Sequence, residues 1–550
     1  MLYCVGCGGF KMKVRTDIIR HAKTLHTWVG ICSGIFLFIC FFAGGLSMFQ
    51  HDLSRWATPP QQQLVPITAQ QYDPLIQQVQ AKHPETLKSF QLNFDSKEFH
   101  YAPMQWQAVA QKGQDDHDFD TYQEQMLASF DADGRLQVEQ ENLSKMGWLI
   151  EQLHETAGIP GTLGHHTLGM YVMAVICVLY FLALMTGLIV LLPTLVKDYF
   201  AIRAGKNKKR FWLDAHNVVG ITSLPFHIII SVTVISFAFH DVFYDAIGTL
   251  TGKGKSLFQR PPAVKIVEPV ATLNVEKLLE KMQKQMPEYQ VSSISFNNLD
   301  QPEKASARAN LYSADQMLRG DRFDVVVFNP YLNKPLSTSN LNTHATPADQ
   351  VIRSMFSLHF GNYGGDLTRW LYLILGLGGA FLFYSGNLLW IESRIKRQKP
   401  TDTRTIKQRK DVKAIANLTV GACLGCMIAV FSSMLIGRWG YVISSELTSL
   451  NHWFIYSYYI VFILTLVYCF IVGAAKALPQ LLMLTALILC ALPLTSIIAL
   501  MLPNIGLWAS SSYLWWIDIT AVIFAAIFMR FYIQAKRRQN NAENGSIWSV

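Results

Sequence analysis

Five histidines stand where an imidazole could do chemistry: His26, His154, His216, His227 and His359. An ionisable side chain in or beside an apolar segment is costly and is by default a functional candidate. A lone histidine on an apolar helix is more often a hydrogen-bonded core residue, so recurrence is the useful signal. His26-Thr27-Trp28-Val29-Gly30-Ile31 returns as His216-Asn217-Val218-Val219-Gly220-Ile221 at an offset of 190 residues, and His51-Asp52 returns as His240-Asp241 at 189. Leu153-His154 before Gly158 is matched, in looser register, by Leu358-His359 before Gly361. A two-fold relation between the copies brings His26 to His216 and His154 to His359. Two imidazoles converging across an axis suit a haem iron with two axial histidines. Structural zinc needs four ligands, and neither level offers cysteines or carboxylates at ligand spacing. Gly30 and Gly220, four residues on and on the same face, let a flat ring or a neighbouring helix approach.

His227 breaks the symmetry, because the repeat puts Leu37 in its place. On a straight helix it stands about 16 Å beyond His216 and only about 20° around the axis. It therefore competes with His154 and His359 for a second, stacked site. His165 and His166 read as interfacial, His21 as a solvated residue, and His452 beside Trp453 as another interfacial one.

The elements that must position these residues are membrane spans. The composition is 51% hydrophobic and only 15% charged over 550 residues, with positive mean hydropathy, which places the chain in the membrane class. A span needs roughly 20 apolar residues. Eight stretches qualify, near 28–49, 167–192, 214–239, 367–390, 415–437, 453–475, 480–502 and 514–533. Basic residues resist translocation, and they crowd the segment before the first span, the loop at 193–213, the loop at 393–414 and the tail at 535–550. The expectation is an α-helical polytopic protein of eight transmembrane helices with both termini cytoplasmic. The net charge of +9 then reflects topology rather than nucleic-acid binding.

Between the first and second spans, and again between the third and fourth, lie long segments at 50–152 and 240–357. Each runs from a helical stretch through a Pro-Glu turn, Pro84-Glu85 or Pro287-Glu288, into a strand at Ser89-Phe90-Gln91-Leu92 or Ser293-Ile294-Ser295-Phe296. They read as two outer α/β modules. Residues 1–392 are thus two parallel copies of span, module, lead-in helix and span, with the lead-ins opening segments 153–192 and 358–392. The last four spans, 415–534, carry no comparable histidine pattern.

Of nine cysteines, seven fall inside spans and none in the outer segments, so no disulfide framework is implied. Cys4 and Cys7 precede Met12, an alternative start, and supply only two metal ligands. No Gly-rich dinucleotide fingerprint, P-loop, HExxH or GxSxG occurs. Electrons, if they move here, come from a cytoplasmic reductase or a membrane quinol. A regulatory or peptide-binding membrane protein, and a proton- or metal-coupled transporter using the same histidines, stand as alternatives.

The strings Phe211-Trp212-Leu213-Asp214-Ala215-His216-Asn217-Val218-Val219-Gly220, Leu224-Pro225-Phe226-His227 and Leu358-His359-Phe360-Gly361, with Gly364-Gly365 through Arg369-Trp370-Leu371-Tyr372, resemble the PepSY-associated transmembrane-helix family. Leu153-His154 with Ile159-Pro160-Gly161-Thr162, and Leu25-His26 with Gly30, fit the same pattern. The resemblance implies a bacterial inner-membrane protein linked to iron acquisition, with periplasmic PepSY-like domains. It further implies a haem-containing reductase, with haem b held by His26, His154, His216, His227 and His359, that releases iron from ferric siderophores or another periplasmic iron complex as Fe(II). Two positions depart from the pattern. Glu155-Thr156-Ala157-Gly158 stands where a second histidine belongs, and Leu192-Pro193 ends the second span where a histidine is common.

Overall fold

The computed structural model describes residues 15–59, 64–94, 102–107, 125–140, 144–163, 166–195, 203, 208–239, 273–318, 320, 323–332, 335–338, 341–396, 407–445, 447–509, 514–542 and 546–549. Cys4, Cys7, Met12, His165 and the pair His240-Asp241 lie outside them, as does the side chain of His166. The chain forms two compact units. One comprises Met1–Ala57, Ser144–Ala238 and Tyr372–Val550, and the other Thr58–Leu143 and Phe239–Leu371.

The first unit is helical. It contains α1 (Thr16–Ser47), α2 (Gln50–Trp56), α4 (Met146–Thr156), α5 (Leu168–Leu191), α6 (Lys208–Thr222), α7 (Leu224–Ala238), α10 (Gly365–Arg394, from Tyr372 on), α11 (Lys410–Ile443), α12 (Leu447–Val472), α13 (Ala474–Met501) and α14 (Trp515–Asn540). Among the described residues, seven helices are long and apolar enough to cross a membrane, and the bent pair α6–α7 makes an eighth crossing if it is one span. This is a multi-pass membrane protein. Polar groups inside α1 and α5 are satisfied within their helices: Ser33 Oγ donates to the Val29 carbonyl and Thr186 Oγ1 to that of Leu182.

The segment expected as the third span is not the straight helix that the sequence spacing presumes. It bends by 68° at Ser223, so the 16 Å, 20° relation between His216 and His227 does not hold. Pro225 is the reason. It has no N–H to donate back into the preceding turn, and its ring crowds the Ile221 carbonyl. Ser223 Oγ instead donates to the Val219 carbonyl at 2.6 Å, and His227 N–H restarts the ladder on the Ser223 carbonyl.

The second unit holds α3 (Tyr72–Lys82), β1 (Ser89–Asn93), β2 (Met104–Gln107), β3 (Gln125–Phe130), β4 (Leu136–Gln140), α8 (Val275–Gln285), β7 (Gln290–Asn297), β8 (Ser306–Tyr312), β9 (Asp324–Phe328) and α9 (Pro347–Phe360). A short pair, β5 (Thr162–Leu163) and β6 (His166–Thr167), belongs to the helical unit. Each half supplies the predicted helix, turn and strand. The two modules are nonetheless joined: one antiparallel sheet runs β4-β3-β2-β1-β7-β8-β9. The first strands of the two copies pair at its centre, Phe90 opposite Phe296 and Leu92 opposite Ile294. Antiparallel pairing of equivalent strands is what a local two-fold axis demands, and it satisfies edge groups that each half-sheet would otherwise expose. Tyr72, Leu75, Ile76 and Val79 of α3 and Val275 and Met282 of α8 form the core against the sheet. The two helices are tied: Asp73 Oδ1 accepts the Val275 N–H at 2.9 Å.

Candidate functional site

Helix α1 carries His26 and α6 carries His216, and their ring centroids lie 6.4 Å apart at 77°. The two repeat-matched histidines do converge. Each is gripped by the second span of its own copy. His26 Nδ1 lies 2.8 Å from the Ala183 carbonyl on α5, with Thr186 Oγ1 at 3.5 Å. His216 Nδ1 lies 3.0 Å from Ser385 Oγ on α10.

These partners define the tautomer. A carbonyl only accepts, so His26 carries its proton on Nδ1. The Leu382 carbonyl takes the Ser385 proton at 3.0 Å and also has a hydrogen bond with the His216 ring; with the hydroxyl proton so placed, the Ser385 oxygen accepts and His216 is likewise protonated on Nδ1. Both rings therefore present Nε2 as a lone pair, and neither Nε2 makes a hydrogen bond among the described residues. Holding Nδ1–H on an acceptor is the usual way a protein orients a metal-binding imidazole. Two imidazoles this close could hold a single metal between them.

The sequence reading missed the gripping residues. Ala183, Thr186 and Gly187 on α5 recur at the same spacing as Leu382, Ser385 and Gly386 on α10. A Cβ at Gly187 would come within 2.9 Å of His26 Cε1, and one at Gly386 within 3.8 Å of His216 Cε1. The signal was available as a hydroxyl-glycine doublet, Thr186-Gly187 and Ser385-Gly386, in the second span of each copy. Gly30 behaves differently. A Cβ there would meet nothing within 4 Å, and one at Gly220 only Leu382 Cδ2 at 3.6 Å. Neither glycine is held in close helix contact.

Asp214 fixes the start of α6 two residues before His216. Its carboxylate is almost fully buried and accepts Arg203 Nε and Nη2 at 2.9 and 2.8 Å and Arg210 Nε at 3.1 Å.

A second level lies further along α1. His154, on α4, has Nδ1 2.9 Å from the Cys40 carbonyl and packs where a Cβ on Gly44 would approach Nδ1 to 2.6 Å. His227, on α7, packs its ring 5.4 Å from that of Phe41. Both thus sit against residues 40–44 of α1, while Tyr180, which meets His227 Nδ1, stands only three residues before Ala183, the partner of His26, on α5. His227 is 2% exposed, its Nδ1 is 2.7 Å from the Tyr180 hydroxyl, and its Nε2 is buried with no partner. The fifth candidate, His359, is on α9 in the sheet unit, its ring 5.4 Å from that of Phe360. His21 bonds the Asp17 carbonyl at the exposed start of α1, and His452 stacks on Tyr456.

Among the described residues, no group of three or more His, Cys, Asp or Glu is arranged to hold a metal ion. The chemistry on offer is pairwise imidazole ligation. The family model described as the PepSY-associated TM region matches residues 23–393. No curated protein matches the chain.

Proposed function

We propose, from the premise that this chain belongs to the PepSY-associated TM family, that it is a di-haem b-type oxidoreductase of the bacterial inner membrane. It passes electrons outward to a periplasmic ferric complex such as a ferric siderophore. The observation that carries the reading is the convergence of His26 and His216 with both Nδ1 atoms on acceptors and both Nε2 atoms without partners. A bound haem iron supplies one-electron chemistry at a potential set by its axial ligands and their hydrogen bonds.

His26 and His216 would hold the first haem, on the cytoplasmic side to which the basic segments of the sequence assign both termini. His227 and His154, which both pack on α1, would be the candidate ligands of the second; His359 belongs to the sheet unit. The chain's own contribution is to orient imidazoles and to exclude water with apolar spans. Each turnover moves one electron: a cytoplasmic reductase or membrane quinol is oxidised, and the ferric ion is reduced to ferrous. A hard oxygen chelator holds Fe(II) more weakly than Fe(III), so reduction releases the metal.

The test is an absorption spectrum of the detergent-purified protein, followed by addition of a ferric siderophore to the dithionite-reduced form. The account predicts a b-type spectrum that returns to the oxidised form on addition. A colourless, folded preparation rules the reading out and favours a regulatory or transport role for the same histidines.

A further inference from the structure

The second level is not a copy of the first. His227 has no histidine counterpart in the other copy, where Leu37 stands, and its Nδ1 partner is a phenol rather than a carbonyl or serine. That phenol, Tyr180, comes from α5 and therefore from the second span of the other copy. At the equivalent place on α10 is Gly379, against which the Phe41 ring packs.

Hydrogen-bond accounting assigns the protons. The Tyr180 hydroxyl lies 3.2 Å from the His227 carbonyl and 2.7 Å from Nδ1. If the phenol donates to the carbonyl, its oxygen accepts Nδ1–H and both contacts are hydrogen bonds. If it donates to Nδ1, the carbonyl contact is lost and a proton is stranded on buried Nε2, which has no acceptor. The first arrangement makes two bonds and the second makes one. It leaves Nε2 as a lone pair in an apolar surround of Phe41 and Phe226.

We propose that Tyr180 is the positioning residue of the second site, holding His227 in the Nδ1–H form so that Nε2 is offered as a ligand and made more basic by the phenol oxygen. This rests on the di-haem reading. An acceptor on Nδ1–H strengthens the imidazole as a donor and so favours the ferric state. Removing it raises the midpoint potential of that haem alone.

The experiment is an optical redox titration of the full-length protein with Tyr180→Phe, Tyr180→Gln and His227→Ala. Tyr180→Phe is expected to shift one midpoint upward while the other stays in place. Tyr180→Gln, whose amide oxygen can still accept Nδ1–H, is expected to restore it towards the wild-type value, and His227→Ala to remove the second haem. The first haem reports folding in every variant. Two haems with unshifted midpoints in Tyr180→Phe, equal shifts in Phe and Gln, or two haems in His227→Ala each overturn the proposal while leaving the di-haem reading intact. A haem-free wild type would overturn both.

Discussion

At the scale of residues, the first site is defined less by its histidines than by what stands behind them. Among the described residues Ser385 is the side chain on His216 Nδ1, and the ring also has a backbone hydrogen bond to Leu382; losing such a side-chain partner typically weakens a metal site by up to about 10- to 100-fold. Ser385→Ala is therefore expected to release haem from the first site at a correspondingly lower dilution, read by haem retention during dialysis, with the second haem unaffected. Gly187→Leu acts by space instead: its side chain meets the His26 ring, where even a Cβ comes within 2.9 Å. The histidines were legible in the sequence because a buried ionisable residue stands out and these recur with their glycines. Thr186, Gly187, Ser385 and Gly386 were not, because small residues in a span read as ordinary helix packing.

At the scale of elements, the bend between α6 and α7 separates what a straight helix would have aligned. Pro225 made a break legible, but neither its angle nor the direction of α7 follows from sequence, since both depend on what the two segments pack against. The central pairing of β1 with β7 was equally hidden: each strand was readable from its own residues, whereas their partnership links positions about two hundred residues apart. In the sheet unit, α9 is pinned to β9 by Arg353 Nη1 on Asp324 Oδ1 at 2.5 Å, both residues 1% exposed. Tyr289 donates to the other carboxylate oxygen at 3.1 Å. Arg353→Met leaves a buried carboxylate uncompensated and should cost about 3–5 kcal/mol, measured by thermal unfolding, with most of the loss recovered in Arg353→Met/Asp324→Asn. Asp73 behaves oppositely. Burial, reinforced by Glu276, raises its pKa despite the Val275 N–H. Its charged form is thus disfavoured in the fold, so its contribution is fully present below the unfolded carboxyl pKa and fades as pH rises through the folded one. Asp73→Asn should raise stability at pH 7 relative to wild type, and the difference should vanish near pH 3.

At the scale of the whole molecule, the duplicated half carries the histidines and the last four spans brace it. Arg438 of α11 lies between the rings of Trp56 and Trp508, 4.3 and 5.0 Å from their centroids, and bonds the Trp508 carbonyl and Ser496 Oγ. Asn451 Oδ1 accepts the Lys145 N–H at 2.8 Å, and Tyr458 lies 3.6 Å from where a Cβ on Gly158 would be. These contacts hold α2 and both ends of α4, the helix that bears His154. Arg438→Leu is expected to lower stability by about 1–3 kcal/mol and to reduce second-site haem while sparing the first, as haem-to-protein ratios would report. The central claim remains that His26 and His216 close on one metal. Haem stoichiometry and spectra of His26→Ala and His216→Ala test it most directly. The account predicts two haems in the wild type, one in each variant, and the same haem missing from both. Two haems retained in either variant, or different haems lost from the two, would contradict it.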